Sequence, residues 1–446
     1  MAQDRVNEFI GDPKKGLFKL MLPILGSMFV QVLYNIVDTA FVGRLGAEAI
    51  AAITFSFPVF FFMISLNAGI GIGMGSRISR SLGAGKKWQA NNTATHGIIL
   101  SLVIAIIVYA TGTLFIDNIL NLFGASGDVR PMAMEYLSVI LFASFFMFAS
   151  GIFNQIFNAQ GDTKTPMKII ILALLVNIIL DPIYIYTLGF GVKGAAYATL
   201  SAFGLALVVF TITFLKKSQV QFIIRGFKLK FETVKNILSV GIPASLTMII
   251  ISVYLSFINK FMAHFGTDYV AAFGVVARLE SVAVMPMAAL SLAMVTLTGM
   301  FFGAGQLKIL NSTVWYALKI SLLLSAVVGA LFFAIPEVFF RIFTNDPRLI
   351  ELGAAYMRIN VFTFPFMSVT ITMSRVMQGL GHGFPGMIVN VTRVLIFAVP
   401  LSFVFIFLLN MPYISVPVAG VVGGGAASIV GVVWYRILFK KCQSKC

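Results

Sequence analysis

Charge is scarce in this chain: only 11% of its 446 residues are Asp, Glu, Lys or Arg, and the 16 acids are outnumbered by 32 bases. A compact water-soluble body of that size needs more polar surface, so a soluble globular domain is excluded. Histidine is limited to His96, His264 and His382, which fall at inner, outer and inner ends of the spans described below and cannot converge on a metal. The two cysteines, Cys442 and Cys446, both lie in the tail, where thiols stay reduced, and do not match a prenylation box. What the chain has in excess is apolar residues, at 59%, with a mean hydropathy of +0.97. Its solvent is therefore lipid for most of its length.

Apolar runs of about 20 residues, enough to cross about 30 Å of hydrocarbon, recur from end to end. Twelve are expected, over residues 17–37, 55–79, 93–115, 132–157, 167–187, 195–215, 234–259, 270–298, 314–335, 349–373, 387–409 and 416–438. Runs such as Ile98 to Ala110 lack the period-two alternation of a transmembrane barrel, so the spans read as helices and the fold class as an all-α polytopic membrane protein. With both termini in the cytoplasm, about 22 of the basic residues fall inside and about 6 outside, which sets the orientation. The net charge of +16 is thus accounted for by topology, and no nucleic-acid partner is implied. The first apolar run is too long for a signal peptide and no small-residue cleavage site follows it, so the amino terminus is expected to stay attached.

The chain also resembles itself at a shift of 220 residues. Pro23 falls on Pro243, Gly46 on Gly266, Gly83-Ala84-Gly85 on Gly303-Ala304-Gly305, Tyr136 on Tyr356 and Gly161 on Gly381. Two parallel six-span repeats follow: an amino-terminal lobe over 1–215, a basic cytoplasmic linker over 216–233, and a carboxy-terminal lobe over 234–446. Paired bundles of this kind suit alternating access, with rocking about a central cleft.

Carboxylates inside hydrocarbon are costly unless they face a cavity, a partner or a cation. Asp38, Asp181 and Glu280 are the three at issue. Asp38 shares a helical face with Tyr34 and Gln31, with Asn35 beside it; Asn177 and Asp181 repeat the i, i+4 relation just before Pro182. Both acids fall in the outer half of the bilayer, where Thr199 also lies. Asn154, Gln155 and Asn158 are expected nearer the cytoplasm, lining a deeper part of the same cleft. An oxygen-only cluster suits a hard cation such as sodium or a carboxyl that carries a proton; alternatively Asp38 caps its span and Asp181 bonds a neighbouring helix. In the second half the acid pair is missing, and Arg278, Glu280, Arg358 and Arg393 are embedded instead, read chiefly as interhelical pairing. The glycines at 69, 71, 73 and 75 lack dinucleotide-binding spacing and read as close helix packing or bending. No nucleophile with a base and no metal triad converges at one depth, so an enzyme is not expected.

The runs QVLYNIVDTAFVGRLGAEAIAA, GIGMGSRISRSLGAGK, AQGDTKTPM, NIILDPIYI and GVKGAAYAT resemble, in this order, the multidrug and toxic compound extrusion (MATE) family, in its DinF-like branch. The resemblance covers nearly the whole chain. It implies a twelve-helix, two-lobed antiporter of a prokaryotic plasma membrane that expels amphipathic, often cationic organic compounds against protons or sodium ions and needs no other cofactor. It places the coupling cation at Asp38, Asn177, Asp181 and Thr199, which are also the metal ligands if the ion is sodium. Gln31, Tyr34, Asn154 and Asn158 are the candidate substrate contacts, Pro23 is the expected hinge, and a monomer is expected. The NorM-like branch places acids on its seventh and tenth helices, and none lies there within the membrane in this chain. A flippase for a lipid or lipid-linked oligosaccharide is the alternative, since related families share the fold.

Overall fold

The computed structural model describes residues 2–223 and 227–444, so Lys445 and Cys446 of the tail and residues 224–226 of the linker lie outside the described residues. In hydrocarbon every backbone N–H and C=O must be satisfied within the chain, and the chain answers with helices throughout. In order they are α1 (Ala2–Gly11), α2 (Pro13–Gly43), α3 (Ala47–Gly83), α4 (Lys87–Leu114), α5 (Ile116–Leu122), α6 (Val129–Ala159), α7 (Lys164–Pro182) and α8 (Gly191–Lys217). After the linker come α9 (Phe231–Phe265), α10 (Thr267–Gly303), α11 (Leu307–Ala334), α12 (Pro336–Phe340), α13 (Pro347–Asn360), α14 (Thr363–Gly379), α15 (Gly383–Val391), α16 (Val399–Phe403) and α17 (Ser415–Gln443). Residues such as Ile107, Val327 and Ile429 are 53%, 60% and 68% exposed, as lipid-facing side chains must be.

Eleven crossings consist of a single long apolar stretch. The tenth is shared between α13 and α14, because the chain breaks at Val361 and Phe362. Pro365, three residues into α14, has no N–H to offer and its ring opposes the carbonyl four residues back, that of Val361. Thr363 ends the first piece by donating its hydroxyl to the Asn360 carbonyl at 2.7 Å. The fifth and eleventh crossings loosen instead into π-helical turns, over Ile183–Thr187 after Pro182 and over Val404–Leu408 after Pro400, with a further one over Thr392–Ala398.

The repeat has a backbone cause. Gly46 and Gly266 have φ of 114° and 126°, Gly85 and Gly305 both 71°, and Gly161 and Gly381 77° and 92°. Each pair sits 220 residues apart at a helix end that must turn through a conformation closed to side chains, so the landmarks persist where other positions drift.

By internal contacts the chain forms two compact units, Met1–Val6 with Leu22–Ser245 and Asn7–Met21 with Leu246–Cys446. The sequence halves and the units therefore differ in the second half of α1, the first part of α2 and the first part of α9, and the changes within α2 and α9 fall within three residues of Pro23 and Pro243. Within the first unit α3 and α9 approach at glycines: a Cβ on Gly73 would stand 2.1 Å from the Ile237 carbonyl oxygen, and one on Gly69 would meet Gly241 O at 2.5 Å. Gly71 serves α6 in the same way, facing Gln155.

The linker is tied to the first unit by side chains that accept its amides in alternation. Gln219 N donates to Gln160 Oε1 (2.8 Å), Gln221 N to Asn91 Oδ1 (3.0 Å) and Ile223 N to Thr95 Oγ1 (2.9 Å). His96, buried at 1% exposure, then accepts from Lys230 N at 2.9 Å through Nε2, while its Nδ1 lies 2.8 Å from the Asn92 carbonyl. Both contacts are satisfied only by the neutral ring with its proton on Nδ1. His96→Phe keeps the ring and removes the acceptor, so hydrogen exchange at the Lys230 amide and tryptic cleavage at Lys228 and Lys230 are expected to quicken at least tenfold, the worth of about 1.4 kcal/mol.

Candidate functional site

The helices of the first unit carry polar side chains to one place. α2 brings Tyr34 and Asp38 one turn apart, α7 brings Asn177 and Asp181 in the same relation, and α8 brings Thr199. Asn177, Asp181 and Thr199 are 1%, 0% and 8% exposed, so the cluster is shut off from water on these sides. Tyr34 Oη and Thr199 Oγ1 lie 3.5 Å apart, which links α2 to α8. The carboxyls of Asp38 and Asp181 lie close enough to act on each other electrostatically. Yet among the described residues neither oxygen of Asp181, nor either polar atom of the Asn177 amide, has a hydrogen-bond partner.

Buried polar atoms without partners are rare and expensive, and two carboxylates in contact repel. The arrangement is stable only when a proton is shared between the acids or a cation sits among the free oxygens. The residues present therefore fit either a proton on the acid pair or a hard cation such as sodium, for which Asp38, Asp181, Asn177 and Thr199 carry the oxygens.

Sequence reasoning missed Tyr136. It stands on α6, 9% exposed, close enough to both Asp38 and Asp181 for its hydroxyl to feel their charge. Its signal was present, as the landmark that pairs with Tyr356 in the repeat. The second unit places Tyr254 and Tyr356, the counterparts of Tyr34 and Tyr136, near an acid from another helix: Glu280 on α10, which accepts from Asn360 Nδ2 at 3.1 Å. Arg393 acts electrostatically on Glu280 and Tyr254, with its buried Nε unpartnered. Arg358 pairs with Glu337 at 2.6 Å, and Arg375, also unforeseen, bonds Gln378 at 2.9 Å.

The candidate substrate residues do not all gather at the acids. Gln31 Nε2 donates to Asn35 Oδ1 at 3.5 Å on the same helix as Asp38. Asn158 Nδ2 donates to Asn154 Oδ1 at 3.0 Å, and the two lie 22 and 18 residues along α6 from Tyr136, about 33 and about 27 Å at about 1.5 Å per residue. Pro23 lies inside the continuous α2, and its carbonyl accepts the Ser27 hydroxyl at 3.0 Å.

Twelve membrane crossings in two related bundles, with the buried Asp181 carboxyl close to Asp38 in the first of them, define a multi-pass transport protein. The MatE family description matches residues 23–183 and again 243–404, the two halves of the repeat, and the chain belongs to that family. It is 29% identical over 405 residues, 90% of this chain and 87% of the relative, to the probable multidrug resistance protein NorM of Thermotoga maritima. The multidrug export protein MepA of Staphylococcus aureus is 26% identical over 371 residues, covering 83% and 82% of the two chains. A crystal structure of a MATE protein in the bent conformation superposes with a TM-score of 0.94 at 31% identity, over 99% of this chain and 98% of that one.

Proposed function

We propose that this protein is a secondary active efflux antiporter, exporting amphipathic and often cationic organic compounds in exchange for protons or sodium ions by alternating access. The observation that carries the reading is the unpartnered acid pair: Asp181, wholly buried, has both oxygens free beside Asp38 and Asn177. An organic cation and the coupling ion are attracted by the same negative charge, and neither is held well when the other is bound. Competition for one site yields exchange. Asp38 and Asp181 hold the charge, Asn177 and Thr199 supply neutral oxygen, and Tyr34 and Gln31 meet the substrate on α2. Asn154 and Asn158 serve substrate at a deeper level of the path. The chain is read as a monomer of a prokaryotic plasma membrane with both termini in the cytoplasm.

Pro23 is the hinge in this reading. Its missing N–H leaves one carbonyl of α2 free, so α2 bends there at low cost. Pro23→Ala restores that bond and stiffens α2. Substrate binding is expected to persist within about twofold while turnover falls at least tenfold, read as equilibrium binding against initial rate in vesicles; equal losses in both would remove the hinge.

The test of function is reconstitution in liposomes with a fluorescent organic cation outside, under an imposed proton gradient and separately under a sodium gradient. Accumulation driven by one gradient names the ion. Transport under neither, from folded protein, shifts the reading to the lipid flippase, which the unpartnered Nε of Arg393 in the second unit favours.

A further inference from the structure

We propose that the first unit also carries a crevice for an anionic phospholipid, separate from the acid pair, with the Lys193 ammonium as its phosphate partner. The crevice has a volume of about 350 Å³ and is lined by Tyr184, Phe190, Lys193, Tyr197 and Ser201, at the turn joining α7 to α8. Three of these are rings packed edge to face or tilted: Phe190 and Tyr197 have centroids 5.7 Å apart, and Tyr184 stands 6.5 Å from each. Lys193 is half-buried, and its ammonium lies 6.0 Å over the Tyr197 ring. Tyr184 and Ser201 close the inner end with hydroxyls 3.5 Å apart. Among the described residues no carboxylate lines the crevice, and the sequence has no acid between Asp181 and Glu232.

Helical geometry separates this crevice from the transport site. Lys193, Tyr197 and Ser201 recur every four residues along α8, while Thr199, two residues from each of the last two, points to the opposite side at about 100° per residue. The same stripe continues through Val208, Ile212 and Leu215, which are 56%, 48% and 78% exposed. One face of α8 thus offers in sequence a cation, aromatic walls, paired hydroxyls and an apolar track, and from Lys193 to Val208 it covers about 22 Å at about 1.5 Å per residue, the depth of one leaflet. A phosphoglyceride presents the matching groups in the same order: phosphate to Lys193, glycerol ester oxygens to Tyr184 and Ser201, acyl chain along the track. An organic cation is repelled by Lys193, so the crevice is not a second drug site.

The test is retention of lipid by the full chain, purified in detergent and delipidated, then measured by native mass spectrometry with phosphatidylglycerol and with phosphatidylcholine. The parent is expected to retain the anionic lipid about fivefold more than the zwitterionic one, K193R to keep that preference, and K193Q to lose it. Equal retention of the two lipids by the parent, or an undiminished preference in K193Q, overturns the proposal. So does displacement of the bound lipid by glycerol phosphate as effective as by intact lipid, which would make this a site for free phosphate. Y184F combined with S201A reads the other end of the crevice: retention of both lipids is expected to fall, and unchanged retention counts against the site even if K193Q does not fold.

Discussion

Asp181→Asn is expected to abolish gradient-driven export while leaving a protein at least as stable as the parent. The amide has the shape of the carboxyl but no charge, and Asp181 is 0% exposed with no donor to either oxygen. Removing a buried charge that lacks its partner relieves desolvation and the repulsion from Asp38, so thermal unfolding in detergent should not fall. Transport should fall at least about thirtyfold, since a close buried charge contributes about 2 kcal/mol or more to holding its counter-charge. The two measurements separate function from folding. A variant that is unstable and inactive points to a structural role for Asp181; one that is stable and still couples transport to the gradient defeats the antiporter reading.

The same site distinguishes the ions. A proton needs only Asp38 and Asp181, whereas sodium takes about six oxygens and enlists Asn177 Oδ1 and Thr199 Oγ1. The amide of Asn177 is unpartnered on both atoms, which makes it available, and Thr199 is held by Tyr34 through a 3.5 Å contact. Once reconstitution has named the gradient, the dependence on these neutral groups is a check on it from within the structure.

Much of this architecture is legible in the sequence because the bilayer reduces the choices. An apolar run of sufficient length must be a helix, and an acid within one must be accounted for, so the crossings and the first-lobe acids can be read locally. The repeat is legible because Gly46, Gly85 and Gly161, with their counterparts, occupy positive φ, where substitution is strained. What could not be read depends on which helix lies alongside which. Tyr136 is one tyrosine among 12 until α6 places it against the two acids. The break at Val361 and Phe362 follows from Pro365, but prolines 23, 58, 243 and 286 lie within helices that run on unbroken. His96 has no periodic signature at all, since its partner is a linker amide 134 residues away.

The glycines of α3 make the second large prediction, because four of them in one helix face different neighbours. A Cβ at position 73 would lie 2.1 Å from the carbonyl oxygen of Ile237 and 3.1 Å from its carbon, both backbone atoms of α9 that no rotamer change can clear. At position 75 the same Cβ would meet Gln155 Oε1 at 3.7 Å and Ala159 Cβ at 3.8 Å, ordinary contacts. Gly73→Ala is therefore expected to force α3 and α9 apart and destabilise the first unit by about 3 kcal/mol or more. Gly75→Ala should be neutral or slightly stabilising, since a helical glycine costs about 1 kcal/mol relative to alanine. The two variants have the same composition and the same change in helix propensity, so any difference between their melting profiles reports the α3–α9 contact alone. Equal behaviour would mean that α3 does not approach α9 at Gly73, and the first part of α9 would then have to be assigned to a different bundle.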